Sequence, residues 1–250
     1  MHRRASRVWS AGLLLVAAWA VSATSARAQH YQQTNLVSDE SGATTTDPNL
    51  VNPWGLARSS GSPWWTANNG SGTSTLFNGS GVPQPGGSPL VVTIPPGPGS
   101  SEGGVPTGAV FNGSPDFQLT PGNPARFIFA TEDGTISGWN PAVDPTHAVI
   151  MFPAKGQPAS GAVYKGLALA MNNGQRFLYA TNFSKRRIDV FDASFMPVKM
   201  HEERFEDDEL THRGFAPFGI QNLGGDLFVT YAKRDPTTND DVPGAGVGYV

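Results

Sequence analysis

Polar residues with oxygen-bearing side chains stand at the ends of three similar apolar segments. The segments are Trp64–Asn68, Phe127–Thr131 and Phe177–Thr181. Amide and carboxylate oxygens from separate segments can together coordinate a hard divalent cation such as Ca²⁺. The sequence therefore offers one candidate metal site. Its members are Asn68, Glu132 and Asn182.

The same residue types are also typical of tight turns. Asn and Asp side chains accept hydrogen bonds from nearby backbone groups and so favour turns. Asp133-Gly134, directly after Glu132, is a two-residue hairpin signal. A repeated architecture would also duplicate such residues without any functional reason. The metal site and the turn are therefore both open interpretations of these positions.

Other catalytic chemistry is not indicated by the sequence. The chain has no cysteine, which excludes a thiol nucleophile. Its five histidines do not show the spacing of zinc ligands, and no G-x-S-x-G nucleophile motif occurs. Catalytic residues are thus not assigned, and no cofactor is expected apart from the possible cation.

A short glycine-centred pattern recurs four times and predicts the elements that carry these residues. Successive copies lie about 50 residues apart, a period typical of propeller blades. The copies are Pro53–Ala57, Pro106–Val110, Tyr164–Ala168 and Pro217–Gln221.

Each repeat contains further runs of aromatic and β-branched residues, which suit packed strands. Four runs follow one another in the first two repeats, and four strands make one blade of a propeller. The sequence therefore predicts an all-β propeller of four-stranded blades. We expect blades at about 53–100, 104–155 and 162–212, with a fourth, incomplete blade from 215.

The N-terminus is predicted to be a signal peptide. Three arginines precede an apolar stretch from Val8 to Val21, and Ala26-Arg-Ala28 is a cleavage motif. We expect residues 1–28 to be removed on export to the periplasm or the extracellular space. Residues 29–250 would then form the propeller domain, incomplete at its C-terminal end.

The charge balance bears on the class of partner. The formal net charge is −3, and removal of the four arginines in residues 1–28 would take it to −7. A mildly acidic surface argues against nucleic acid or an anionic membrane as the main partner. No stretch after the signal peptide is apolar enough to span a bilayer.

Tryptophan side chains allow two interpretations. An aromatic face can stack on a sugar ring, but large indole rings also fill the space between neighbouring sheets. Their positions within the repeats favour packing between blades. The residues concerned are Trp54, Trp64, Trp65 and Trp139.

Several stretches of the chain carry a resemblance to known propellers. They are Tyr31–Asp39, Asp47–Ala57, Pro106–Gly113, Ala125–Pro141 and Ala216–Ala232, and the unit Tyr164–Phe195 is similar to an NHL-type repeat. Together they resemble a group of uncharacterised secreted bacterial propellers, some of which carry a PEP-CTERM sorting signal. The resemblance implies a six-bladed parent fold in which a strand at Tyr31–Val37 completes the last blade, and it implies no particular activity.

Two hypotheses for function follow. The first is an exported, non-enzymatic module that binds a protein or polysaccharide of the cell envelope or extracellular matrix. The alternative is a metal-dependent, lactonase-like hydrolase with its site in the central channel. Export and the absence of a catalytic set favour the first.

Overall fold

The computed structural model describes residues 31–86, 88–101, 103–199 and 207–250. The chain divides into two compact units, Met1–Thr34 and Asn35–Val250. In the first unit only residues 31–34 are described, and they have no regular secondary structure. The predicted signal peptide at residues 1–28 lies outside the described residues.

The second unit is built almost entirely of short strands. The first nine are β1 (Val37–Ser38), β2 (Thr45–Thr46), β3 (Pro53–Ala57), β4 (Trp64–Asn68), β5 (Thr73–Phe77), β6 (Val91–Thr93), β7 (Pro106–Phe111), β8 (Gln118–Thr120) and β9 (Asn123–Pro124). The others are β10 (Phe127–Thr131), β11 (Ile136–Trp139), β12 (Val149–Phe152), β13 (Tyr164–Asn172), β14 (Gln175–Asn182), β15 (Arg187–Phe191), β16 (Pro197–Val198), β17 (Phe215–Leu223), β18 (Asp226–Lys233) and β19 (Gly248–Tyr249). One short helix, α1, spans Asp208–His212.

These strands form four consecutive antiparallel sheets that are the blades of a propeller. Blade one is β3-β4-β5-β6, blade two is β7-β10-β11-β12, blade three is β13-β14-β15-β16, and blade four is β17-β18-β19. The innermost strands β3, β7, β13 and β17 pack side by side in sequence order. The predicted all-β propeller with four-stranded blades is confirmed, and blade four has three strands among the described residues.

The apolar core lies between neighbouring blades. Between blades one and two, Trp65 stacks on Phe127 with ring centroids 4.2 Å apart and meets Trp139 at 4.6 Å. Between blades two and three, Ile128 packs in one cluster with Leu178. Aromatic pairs of this kind add stability beyond their buried area. The packing interpretation of Trp65 and Trp139 is therefore confirmed.

The repeat glycines set the distance between innermost strands. A Cβ atom on Gly55 would lie 2.6 Å from the carbonyl oxygen of Thr107, and one on Gly108 would lie 2.5 Å from the Cβ of Leu167. A Cβ on Gly166 would lie 2.9 Å from the carbonyl oxygen of Phe218. Only glycine permits backbones to approach this closely.

The N-terminal strand differs from the prediction. Residues 31–36 form no strand, and β1 pairs in parallel with β2. At the end of the segment, the amides of Thr44 and Thr45 donate to the carbonyl oxygens of Asn35 and Leu36. Of the expected closing strand at Tyr31–Val37, only Val37 lies in a strand, and that strand pairs with β2 and with none of the four described blades.

Among the described residues, no helix has the length and apolar character that crossing a membrane requires.

We predict that Gly108→Ala lowers the free energy of unfolding by about 1–3 kcal/mol, because the new methyl group overlaps the backbone and Cβ of Leu167. Urea unfolding followed by tryptophan fluorescence measures the effect. Gly61→Ala is the matched control, since a Cβ there meets no atom within 4 Å. Equal stability of the two variants would contradict the role assigned to the glycine.

Candidate functional site

A backbone irregularity lies at or directly before the repeat glycine in every blade. The pairing of the innermost strand with the second strand shifts register at this point in all four sheets. Such a bulge adds one residue to a strand and re-aims its side chain. The residues that stand directly before the glycines are Trp54, Thr107, Lys165 and Phe218.

Three of these four side chains meet around one ammonium group. The Nζ atom of Lys165 lies 5.1 Å from the ring centroid of Trp54 and 5.8 Å from that of Phe218. The two rings are themselves 5.5 Å apart. Phe183, which follows β14, adds a third ring at 5.7 Å. Lys165 thus occupies an aromatic cage made by blades one, three and four.

Two carboxylates balance the charge of this lysine. Nζ donates a short hydrogen bond to Oε1 of Glu132 and another, of 3.1 Å, to Oδ1 of Asp240. Oε2 of Glu132 accepts from Nδ2 of Asn69 at 2.8 Å. Glu132 follows β10 in blade two, and Asp240 lies in the loop between β18 and β19. We call Lys165, Glu132, Asp240, Asn69, Trp54, Phe183 and Phe218 the Lys165 cluster.

Local backbone bonds hold the polar groups in place. The amide of Glu132 donates to the carbonyl oxygen of Val105, and the amide of Asn69 donates to that of Asn52. The carbonyl oxygen of Asp240 accepts from the amide of Asp235, which closes its loop. Each blade therefore contributes at least one residue to the cluster.

Burial is uneven across the cluster. The side chain of Lys165 is 1% exposed, that of Glu132 22%, and that of Asp240 67%. Removing an ammonium group from water is costly unless carboxylates and ring faces replace the lost hydration. At the buried end of the Lys165 cluster, the ammonium group is balanced by carboxylates. The accessible end of the cluster presents carboxylate oxygens and the partly exposed indole of Trp54.

The three residues predicted as metal ligands have different partners. Glu132 belongs to the Lys165 cluster. Asn68 is fully buried, and its Nδ2 donates to Thr73 and Thr75 within blade one. Asn182 donates to Asp189 and accepts from Ser184 and Lys185.

No group of three or more metal-ligating His, Cys, Asp or Glu side chains occurs in the part of the chain that the structure describes. Cation binding by Asn68, Glu132 and Asn182 stays a prediction. At Asp133-Gly134 the structure shows a turn, with Gly134 at φ +77°. There Asp133 also accepts from the amide of Gly97 at 2.6 Å.

Sequence reasoning missed Lys165, although the residue stands inside the recurring pattern. Its repeat equivalents are Trp, Thr and Phe, so no chemistry recurs at this position. The available signal was a single charged residue in a repeat position that is otherwise uncharged. The residues directly after the second strand, Asn69, Glu132 and Phe183, all reach the cluster, whereas Asn68 and Asn182 stand one place too early.

Two curated proteins of a giant virus are similar to this chain. Uncharacterized protein L690 of Acanthamoeba polyphaga mimivirus is 33% identical over 211 residues, which are 80% of this chain and 52% of the relative. Uncharacterized protein R648 of the same virus is 31% identical over 217 residues, which are 83% of this chain and 50% of the relative. The chain spans about half the length of these relatives.

The relatives are viral, so they give no support to the bacterial origin or the PEP-CTERM signal that the resemblance implied. No family model matches the chain.

Solved structures show weaker likeness. A streptogramin B lyase structure has a TM-score of 0.43 and 14% identity, covering 76% of this chain and 53% of that one. Virginiamycin B lyase from Staphylococcus aureus has a TM-score of 0.43 and 17% identity, covering 77% and 60%. Scores at this level transfer no activity to this chain.

We predict that Glu132→Gln lowers the free energy of unfolding by about 3 kcal/mol, because it removes the less exposed counter-charge of a buried lysine. Asp240→Asn should cost less than about 1 kcal/mol, since its carboxylate is mostly in water. Chemical denaturation measures both. In a Lys165→Met background the cost of Glu132→Gln should shrink, and an undiminished cost would contradict the pairing.

A second prediction concerns alkaline pH. The hydroxyl of Tyr164 donates to Oδ2 of Asp189 at 3.1 Å. Burial, and then the charge of Asp189, raise the pKa of Tyr164 well above its ordinary value of 10. The folded chain therefore keeps a proton that the unfolded chain releases. This contribution to stability is complete below pH 10 and is lost as the pH rises above it.

We expect Tyr164→Phe to flatten the fall in unfolding free energy above pH 10. Thermal melts at a series of alkaline pH values measure this slope. Tyr249→Phe is the control, because the hydroxyl of Tyr249 bonds to the guanidinium of Arg213 and not to a carboxylate. An unchanged slope in Tyr164→Phe would contradict the prediction.

Proposed function

We propose that this chain is an exported binding module whose ligand is a polysaccharide of the cell envelope or extracellular matrix. The ligand binds at the accessible end of the Lys165 cluster. The single observation that carries the proposal is the partly exposed indole of Trp54, which shares the Lys165 ammonium with carboxylates from blades two and four. The amide of Asn69, from the same blade as Trp54, binds the first of these carboxylates.

The chemistry of this surface fits a sugar. An indole face stacks on the apolar face of a pyranose ring, while carboxylate and amide oxygens accept hydrogen bonds from its hydroxyl groups. Trp54 differs here from Trp65 and Trp139, which are buried between blades. Binding sites with a few convergent polar groups beside aromatic side chains are typical of small-molecule and cofactor recognition.

The charges in the cluster narrow the class of polysaccharide. One ammonium group faces two carboxylates, so the cluster carries a formal charge of −1 if all three groups are ionised. Neutral or amine-bearing sugars are therefore favoured over acidic ones. Binding is favoured over metal-dependent hydrolysis because the ammonium of Lys165 occupies the position between Glu132 and Asp240 where a cation would bind.

Affinity electrophoresis in gels containing β-glucan, chitosan or polygalacturonate tests the proposal. We expect the full chain to be retarded by β-glucan or chitosan. Trp54→Ala should weaken that retardation about tenfold, because the stacking surface is lost. Trp64→Ala is the matched control, since its partly exposed indole lies under the guanidinium of Arg58 in blade one.

Three results would overturn the proposal. Retardation by polygalacturonate alone would contradict the charge argument. Equal retardation of the Trp54→Ala and Trp64→Ala variants would show that the polysaccharide does not bind at the Lys165 cluster. Absence of retardation in all three gels, with a folded protein, would leave a protein ligand as the better hypothesis.

A further inference from the structure

Asn-Gly pairs are positions where a protein chain can modify itself. The backbone nitrogen of the glycine attacks Cγ of the asparagine, a five-membered imide forms, and ammonia leaves. Water then opens the imide to aspartate or isoaspartate. Glycine favours the attack because it has no Cβ and its backbone rotates freely. The chain has four such pairs, which begin at Asn69, Asn78, Asn112 and Asn173.

The fold protects two of these asparagines. The amide of Gly70, which would have to attack Asn69, donates to the carbonyl oxygen of Val51. Nδ2 of Asn112 donates to two carbonyl oxygens at 2.9 Å each. Asn69 and Asn112 are both buried. Attack on either side chain therefore requires hydrogen bonds of the folded chain to break.

Asn78 has none of this protection. It is exposed, and it lies in the loop between β5 and β6. The amide of Gly79 donates to no acceptor in the part of the chain that the structure describes. A Cβ on Gly79 would meet no atom within 4 Å. The attacking nitrogen is thus unbonded, and the space around it is open.

Two backbone amides also activate the side chain of Asn78. Its Oδ1 accepts from the amide of Ser80 at 2.9 Å and from the amide of Val82 at 3.0 Å. When the nitrogen of Gly79 attacks Cγ, this oxygen takes on the negative charge of the tetrahedral intermediate. Fixed N–H donors at a developing oxyanion are the means by which enzymes stabilise such intermediates. The loop therefore holds the nucleophile, the electrophile and the oxyanion donors together.

Asn173 is also exposed, but its surroundings differ. It forms a two-residue turn between β13 and β14, with φ +49°, and Gly174 follows at φ +77°. The pairing of Asn172 with Gln175 holds both residues in this turn, so rotation towards attack must open the hairpin. Among the described residues, no backbone amide donates to the side-chain oxygen of Asn173.

We propose that Asn78-Gly79 is a self-modification site, at which the folded chain converts to aspartate and isoaspartate without an enzyme. The bond that forms joins the nitrogen of Gly79 to Cγ of Asn78, and the bond that breaks is Cγ–Nδ2. The amide proton of Gly79 leaves with the ammonia, and one water molecule opens the ring. The conversion goes beyond the proposed binding function and does not depend on it.

Isoaspartate at this position would change the loop as well as its charge. The amide of Asn78 donates to the carbonyl oxygen of Val82 at 2.9 Å, and the amide of Gly81 donates to that of Asn78 at 3.0 Å. A Cβ on Gly81 would lie 2.9 Å from the Cβ of Leu36, so the loop packs closely on the segment before β1. Isoaspartate adds a methylene group to the main chain. We therefore expect it to loosen this contact.

Incubation of the folded full chain at mildly alkaline pH, followed by peptide mass spectrometry, tests the proposal. We expect Asn78 to convert at least about tenfold faster than Asn173, Asn112 or Asn69, because only its oxygen combines exposure with two fixed donors. An isoaspartate-specific methyltransferase identifies the product. In urea, Asn69, Asn78 and Asn112 should convert at equal rates, since each begins the same Asn-Gly-Ser sequence. Conversion of Asn173 as fast as that of Asn78 in the folded chain would overturn the proposal.

Two substitutions at Ser80 separate the donor from the loop sequence. Ser80→Pro removes the backbone N–H that donates to Oδ1 of Asn78, and Ser80→Ala keeps it. We expect Ser80→Pro to slow the conversion of Asn78 by at least about tenfold relative to Ser80→Ala, with Asn173 unchanged in both. Circular dichroism confirms that both variants are folded. Equal rates at Asn78 in the two folded variants would overturn the role of the amide donor.

Discussion

Close approach of backbones at the repeat glycines is the constraint on which the other features of the structure depend. A methyl group at Gly55, Gly108 or Gly166 would overlap the next innermost strand. The glycines therefore fix the distance between neighbouring innermost strands. The aromatic and aliphatic side chains farther out fill the space between blades that this distance sets. The same approach brings the residues before the glycines towards one another, since the bulge in each blade re-aims them. The Lys165 cluster is thus a consequence of blade spacing.

The Lys165 cluster shows how the place where the four blades meet can hold a charge. A buried ammonium group needs compensation, and no single blade supplies it. Carboxylates arrive from blades two and four, an amide steadies the first of them from blade one, and three rings cover the remaining sides. Because the groups around the Lys165 ammonium come from every blade, the cluster also links the four blades to one another. A substitution of Lys165 alone would therefore alter both the stability of the cluster and its chemistry.

The sequence predicted the fold well because the glycine pattern reports a backbone requirement that recurs with every blade. It did not predict the Lys165 cluster, because the side chains of the cluster converge through the bulges, and neither composition nor spacing indicates a bulge. Glu132, which directly follows the second strand, belongs to the Lys165 cluster. Asn68 and Asn182, which the same pattern indicates, stand one residue earlier and bond within their own blades. The expectation of a closing strand at Tyr31–Val37 rests on resemblance to closed propellers, whereas in the structure β1 begins at Val37 and pairs with β2.

Repetition and function place opposite demands on equivalent positions. Residues that are the same in every blade, such as the glycines, serve the geometry that all blades share. A site needs different groups around one point, so it must come from positions where the repeats differ. The position before the glycine holds Trp, Thr, Lys and Phe, and the position after the second strand holds Asn, Glu and Phe in the first three blades. Apart from Thr107, the residues at these two positions are the ones that meet at Lys165, so the departures from the repeat carry the argument for a binding site.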